Sequence, residues 1–161
     1  MRYEYIEPIV AAAKKVLEQV TSGEVTSGDV ALVKGDDLDS DVSVLISVKG
    51  DSEGSIVICL DTATATALCE VMNHDMCGAL SNGVCENPSL AMDTIAELSN
   101  MIAGNATSSL NELGFDFTVF PPNALVARPE LVRKMSGLEL FRVPLGTRCG
   151  EIAVNVALTT N

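Results

Sequence analysis

Val42-Ser43-Val44-Leu45-Ile46-Ser47-Val48-Lys49-Gly50-Asp51-Ser52-Glu53-Gly54-Ser55-Ile56-Val57-Ile58-Cys59-Leu60 decides what kind of sheet this chain builds. Val42 to Val48 and Ser55 to Leu60 are rich in β-branched residues, which pack well on a pleated surface. The link from Lys49 to Gly54 is polar and carries a glycine near either end, as a hairpin loop does. Strands joined by so short a link pair antiparallel, since a parallel crossover needs a dozen residues or more.

Upstream, Tyr5, Ile9, Ala12, Ala13, Val16, Leu17 and Val20 recur at helical spacing and predict a helix over 5–20, ended by Thr21-Ser22-Gly23. Val30 to Val33 reads as a short strand before the hairpin. Downstream, Asp61 or Thr62 can cap a second helix that runs through Met72, and 73–87 reads as a loop. Pro88 suits the first turn of a third and longest helix after a cap at Asn87; the pattern runs to Leu113, where Gly114 supplies the stop. Phe115 to Phe120, Leu138 to Val143 and Glu151 to Thr159 predict three more strands. Ile152, Val154, Val156 and Leu158 alternate along the last of these, which fits a half-buried strand able to serve at a sheet edge. The order α, β, β, β, α, α, β, β, β lacks regular β-α-β alternation. It predicts an α+β fold, an antiparallel sheet of about six strands covered by long helices.

A chain of 161 residues is expected to form one domain, 1–161, with a real core. Apolar residues make up 47 % and charged residues 20 %, too hydrophobic a balance for a disordered tail. The net charge of −12 repels phosphate backbones and anionic lipid alike, so neither nucleic acid nor a membrane surface is an expected partner. No apolar stretch is long enough to span a bilayer, and residues 1–20 carry too many charges for a signal peptide. The five cysteines, Cys59, Cys69, Cys77, Cys85 and Cys149, are odd in number and irregularly spaced, which predicts reduced thiols and a cytoplasmic location.

The third helix carries the chemistry. At 100° per residue, Ile95, Leu98, Ile102, Ala106 and Leu113 form its inward stripe, while Asp93, Glu97, Asn100, Gly104, Thr107 and Asn111 fall on the opposite side. Glu97 and Asn100 stand at i and i+3, so one turn presents a carboxylate and a carboxamide together. A polar face is ordinary on an amphipathic helix. Less ordinary is Gly104 on that face, because Gly costs about 1 kcal/mol relative to Ala inside a helix and leaves room for another surface to come close.

The run Asp93-Thr94-Ile95-Ala96-Glu97-Leu98-Ser99-Asn100-Met101-Ile102-Ala103-Gly104-Asn105-Ala106 resembles the signature helix of the CheC/CheX/FliY family of chemotaxis phosphatases, most nearly its CheX branch. The family pattern is Asp or Ser, three residues, Glu, two residues, Asn, and a proline some way on, where Pro121 and Pro122 stand. The likeness extends to Tyr5-Ile6-Glu7-Pro8, to Gly54-Ser55-Ile56-Val57-Ile58 and to Gly150-Glu151-Ile152-Ala153-Val154-Asn155-Val156-Ala157-Leu158. The resemblance implies a CheC-like fold, a homodimer paired through sheet edges, and hydrolysis of the aspartyl phosphate of a CheY-like response regulator, ending a chemotaxis signal. It implies no cofactor of the chain's own; the regulator brings Mg²⁺ and a lysine. By similarity, Glu97 anchors on that lysine and Asn100 holds the attacking water, while Asp93, at the first motif position, serves regulator contact or only helix solubility and has no catalytic role; Gly104, on the same face, is placed in regulator contact. Such chemistry suits these residues, because phosphoryl transfer to water needs positioning and charge stabilisation more than a covalent nucleophile. A competing reading is a CheX-like binding module that sequesters a regulator or a flagellar switch component without hydrolysis. A FliY-like switch part is disfavoured, since such proteins usually add a further domain.

Other features are weighed and set aside. Glu70 and Asn73 repeat the Glu-x-x-Asn spacing, and CheC relatives carry two active helices, but Asn73 falls where the second helix is expected to end. His74, Cys77 and Cys85 share the loop 73–87, yet they lack the close paired spacing of a structural zinc site and any third group to orient a Cys/His nucleophile, so no metal is expected. Cys59 is expected in the core. No glycine-rich phosphate loop is present. Arg128, Arg133, Lys134, Arg142 and Arg148 hold half the positive charge and read as strand flanks.

Overall fold

The computed structural model describes residues 3–73, 88–120 and 128–160. After a 3₁₀ turn at Tyr3–Tyr5 come α1 (Ile6–Thr21), β1 (Thr26–Ser27), β2 (Ala31–Lys34), β3 (Val42–Gly50), β4 (Ser52–Leu60), α2 (Thr62–Met72), α3 (Pro88–Glu112), β5 (Phe117–Phe120), α4 (Arg128–Met135), β6 (Glu139–Thr147) and β7 (Gly150–Thr160). All strands join one seven-stranded antiparallel sheet in the order β1-β6-β7-β4-β3-β5, with β2 also on β6.

The hairpin pairs as its pattern predicts, from Val42 opposite Leu60 to Val48 opposite Gly54. Its polar link is mostly strand, however. Lys49 and Gly50 go on to pair with β5, and Ser52 and Glu53 with β7, leaving Asp51 alone at the turn. Gly50 has φ +144°, where a side chain is strained, and a Cβ there would lie 2.0 Å from the Asp116 carbonyl oxygen. Asp51 N–H donates to that same carbonyl at 2.8 Å, and Asp116 N–H donates back to Asp51 Oδ2 at 2.8 Å, fixing the start of β5 to the hairpin tip.

One face of the sheet presents Val44, Ile46, Ile56, Ile58, Val154 and Val156 to α1, α2 and α3. Tyr5, Phe115 and Phe117 close one end of that core, with Tyr5 meeting each phenylalanine edge-on at 4.9 Å. On the opposite face, Leu131 and Met135 of α4, with Leu38, cover Val57, Cys59, Leu140, Ala153 and Ala157. Sequence reading does not find α4: the helix is only eight residues long and mostly polar, and it is supported by an exposed Lys134–Glu130 pair at 3.2 Å. The small residues that α4 covers also correct the expectation for the last strand. β7 is no edge; it lies between β6 and β4 and is buried on both faces from Ile152 to Leu158. The edges are β5 on one side and β1 with β2 on the other.

α2 begins where Asp61 accepts a hydrogen bond from Thr64 N–H at 2.7 Å. Hydrogen bonds from Thr64 hold the Asp61 carboxyl below its ordinary value. This cap therefore contributes fully above the ordinary carboxylate range and is lost as pH falls through the lowered value. Arg148 Nε donates to the Thr21 carbonyl oxygen and so satisfies the end of α1, a role more specific than a strand flank. No helix among the described residues is long and apolar enough to cross a membrane.

Candidate functional site

α3 lies over β3 and β5 and packs against α1 and α2. Ile95, Leu98, Ile102, Ala103, Ala106 and Leu110 are its buried stripe. Leu113, expected within that stripe, lies one residue beyond the helix and is 61 % exposed, and Leu110 takes the inward place. The helix stops as predicted at Gly114, whose φ of +89° lets its N–H reach Asn111 O at 3.0 Å while Phe115 N–H reaches Leu110 O at 3.1 Å.

The polar side chains of α3 divide into two groups. Thr94, Ser99, Asn105 and Thr107 donate back to the carbonyls of Leu90, Ile95, Met101 and Ala103 at 2.8–2.9 Å. Thr107 Oγ1 also accepts from Val119 N–H, and Asn111 Oδ1 accepts from Phe117 N–H, both at 3.2 Å. Both residues were expected on the outward face with Glu97 and Asn100; their polar atoms instead fasten β5 to the helix. A period of 3.6 residues cannot distinguish them, because β5 arrives along the border of that face.

Of the six residues expected on the outward face, Asp93, Glu97, Asn100 and Gly104 remain, all exposed. The side chains of Asp93, Glu97 and Asn100 make no hydrogen bond or ion pair with another described residue. Glu97 and Asn100 are separated by about 4.5 Å along the axis and point the same way. A Cβ at Gly104 would meet nothing within 4 Å, and no positive φ calls for glycine there. Among the described residues the fold uses none of these four internally, and together they present carboxylates, a carboxamide and a low spot to solvent. Such a surface can accept hydrogen bonds from a cation and hold a water through an amide that both donates and accepts.

The second Glu-x-x-Asn has the structural role expected of it. Asn73 caps α2, its N–H and Nδ2 reaching Cys69 O at 3.0 and 2.9 Å, and its Nδ2 also donates to Thr94 Oγ1 at 2.9 Å, tying α2 to α3. Cys59 and Cys69 are buried thiols, and Cys149 is a partly buried one whose pKa burial pushes up, with Arg148 opposing and Glu70 adding to the rise. His74, Cys77 and Cys85, and likewise Asn87, Pro121 and Pro122, lie outside the described residues. Among the described residues, no three His, Cys, Asp or Glu side chains are grouped so as to hold a metal ion.

Residues 42–146, from the start of β3 almost to the end of β6 and including α3, match the family model of the chemotaxis phosphatase CheX. A protein of Thermotoga maritima named CheY-P phosphatase CheX is 25 % identical over 140 residues, which cover 87 % of this chain and 85 % of that one. Among solved structures, the CheX-CheY-BeF3-Mg²⁺ complex from Borrelia burgdorferi is similar with a TM-score of 0.75 and 30 % identity, over 98 % of this chain and 99 % of that one. The chemotaxis protein CheX from Desulfovibrio desulfuricans shares the fold at a TM-score of 0.74 and 23 % identity, over 97 % and 99 % of the two chains.

Proposed function

Because the chain belongs to the CheX family of chemotaxis phosphatases, we propose that it removes the phosphoryl group from the aspartyl phosphate of a CheY-type response regulator. The observation that carries this reading is the pair Glu97 and Asn100, exposed and without a side-chain partner among the described residues, on a helix whose other polar groups are largely engaged within the fold. Glu97 accepts a hydrogen bond from the ammonium of the regulator's active-site lysine, which sets the register of the complex. Asn100 then reaches the phosphoryl group and aligns a water in line with the P–O bond to be broken; that water supplies the oxygen of the released phosphate, and the aspartate leaves as carboxylate. Mg²⁺ is assigned to the regulator, where it neutralises charge on the phosphoryl oxygens, since the α3 face offers only the two carboxylates Asp93 and Glu97, one turn apart. The named Borrelia complex, with CheY, Mg²⁺ and a fluoride analogue of the phosphoryl group, supports this division of labour.

The test is decay of a phosphorylated regulator with substoichiometric amounts of the chain. Acceleration with many turnovers supports hydrolysis. Retention of the regulator without acceleration supports the sequestering module instead.

Gly104 is the low spot that lets the regulator's surface approach Asn100. Gly104→Ala adds a methyl group in open space, so the helix gains about 1 kcal/mol and Tm rises by about 2–4 °C. Against that gain, KM for the phosphorylated regulator rises severalfold with kcat nearly unchanged. A raised Tm with an unaltered KM removes Gly104 from the interface.

We also place the expected homodimer contact at the β2 edge, where Leu32 is 57 % and Val30 41 % exposed beside unpaired backbone. At the β5 edge, by comparison, the Lys49 ammonium lies 5.9 Å from the Phe120 ring centroid. Leu32→Asp is expected to convert a dimer to a monomer in sedimentation equilibrium. A variant that stays dimeric moves the contact elsewhere.

A further inference from the structure

We propose that Asn73 is a positioning residue for the face of α3 that carries Glu97 and Asn100: through Thr94 it sets the roll of that helix about its own axis, and with it the aim of Asn100. This rests on the reading of Asn100 as the group that aligns the attacking water.

The bonds that Asn73 makes exceed what the end of α2 needs. Its backbone N–H already reaches Cys69 O, and at φ −111° and ψ 30° it does not adopt the left-handed conformation for which helix ends use asparagine. What the side chain adds is a pair of donors. One goes to Cys69 O and the other crosses to Thr94 Oγ1, each at 2.9 Å. Thr94 is 4 % exposed, and its hydroxyl donates to Leu90 O at 2.8 Å, which leaves its oxygen to receive the amide. Cys69, wholly buried, lies against both side chains, its sulfur 3.7 Å from Asn73 Nδ2 and from Thr94 Oγ1. The link between the two helices is therefore a closed, water-excluded set of partners rather than a surface contact.

Helical period places this link where it governs the outward face. At 100° per residue, Thr94 stands about 60° to one side of Glu97, and Asn100, Thr107 and Asn111 stand about 40–80° to the other. Thr107 and Asn111 hold β5 on their side. The face is thus tied to α2 along one flank and to β5 along the other. Apolar burial of the inward stripe is non-directional, whereas hydrogen bonds on the flanks are directional and resist roll. A helix with its side chains is about 10–12 Å across, so a roll of about 10° carries an outward group about 1 Å. Misplacement of that size can cost about 100-fold in rate where reacting atoms must be aligned. Glu97, one methylene longer than Asn100, can follow a lysine through such a shift; the short carboxamide cannot follow a water. Loss of the α2 link therefore registers in the rate of hydrolysis more than in binding.

The experiment measures single-turnover decay of a phosphorylated regulator at saturating full chain, and Kd for the regulator charged with beryllofluoride and Mg²⁺, well below the unfolding temperature. Asn73→Ala and Thr94→Val are each expected to lower the single-turnover rate about tenfold, β5 still holding the other flank, with Kd within about threefold of wild type. Thr94→Ser, which keeps the hydroxyl, recovers most of the rate lost in Thr94→Val. On an Asn100→Ala background, Asn73→Ala costs less than about twofold more, because no aligned amide is left to misplace. Asn73→Ala, at a half-buried helix end, carries the test should Thr94→Val fail to fold. A variant with lowered Tm but the wild-type rate marks a link that only stabilises the fold, and overturns the proposal. So does a raised Kd at unchanged rate, or a tenfold loss that persists in full without Asn100. If Asn100→Ala is slow while Asn73→Ala matches wild type, the proposal alone falls; if Asn100→Ala matches wild type, the reading beneath it falls too.

Discussion

Asn100→Ala is expected to leave a folded, regulator-binding protein that accelerates dephosphorylation at least about 100-fold less than wild type. Removing one preorganised hydrogen-bonding group from a charge-developing reaction typically costs about 3 kcal/mol of transition-state stabilisation, or two to three decades in rate. Nothing in the fold compensates or complicates the change. The Asn100 side chain is exposed and makes no hydrogen bond with another described residue, and Ala is a better helix former than Asn, so thermal unfolding stays at or above the wild-type temperature. Single-turnover decay of a pre-phosphorylated regulator at saturating chain isolates the chemical step. Equal decay with wild type and variant would remove Asn100 from the mechanism.

Glu97→Lys acts on the other half of the site. If Glu97 anchors on the regulator's lysine as proposed, reversal replaces a charge-assisted hydrogen bond of about 1.5–3 kcal/mol with repulsion between two ammonium groups. KM for the phosphorylated regulator is expected to rise by about 100-fold or more, while kcat at saturation, with Asn100 in place, falls much less. Because the pair sits on an exposed face, raising salt from low to physiological narrows the gap. Glu97→Gln, which keeps an acceptor without the charge, falls between wild type and Lys. A Glu97→Lys variant with unchanged KM and reduced kcat would exchange the assigned roles.

The shared face of the residues that carry these predictions is legible in the sequence, for a physical reason. Asp93, Glu97, Asn100 and Gly104 share one face by helical period alone, and the buried positions Ile95, Leu98, Ile102 and Ala106 fix which way that face points. The hairpin 42–60 and the limits of α2 and α3 were equally local, set by β-branched runs, the Asp61 cap and Gly114. What escaped depends on distant chain. Thr107 and Asn111 looked like surface until β5 arrived to use them. The alternation in β7 looked like an edge strand because Ala153 and Ala157 are apolar but small, and only α4 and Leu38 show that this face is covered too. β1, two residues long, is defined by its partner Leu145–Gly146 and has no pattern of its own.

That β7 is central also shapes how the molecule is made. β4 and β6 are both synthesised before it, yet they never touch as strands; each pairs with β7, at sequence separations near one hundred residues in the case of β4. Until Gly150–Thr160 leaves the ribosome, the nascent chain holds two part-sheets, β5-β3-β4 and β1/β2-β6, each with a raw hydrogen-bonding flank. Such high contact order slows folding and leaves those flanks open to mispairing. β7 is the zip that closes both at once, so production of this protein tests Gly150–Thr160 more severely than it tests α3.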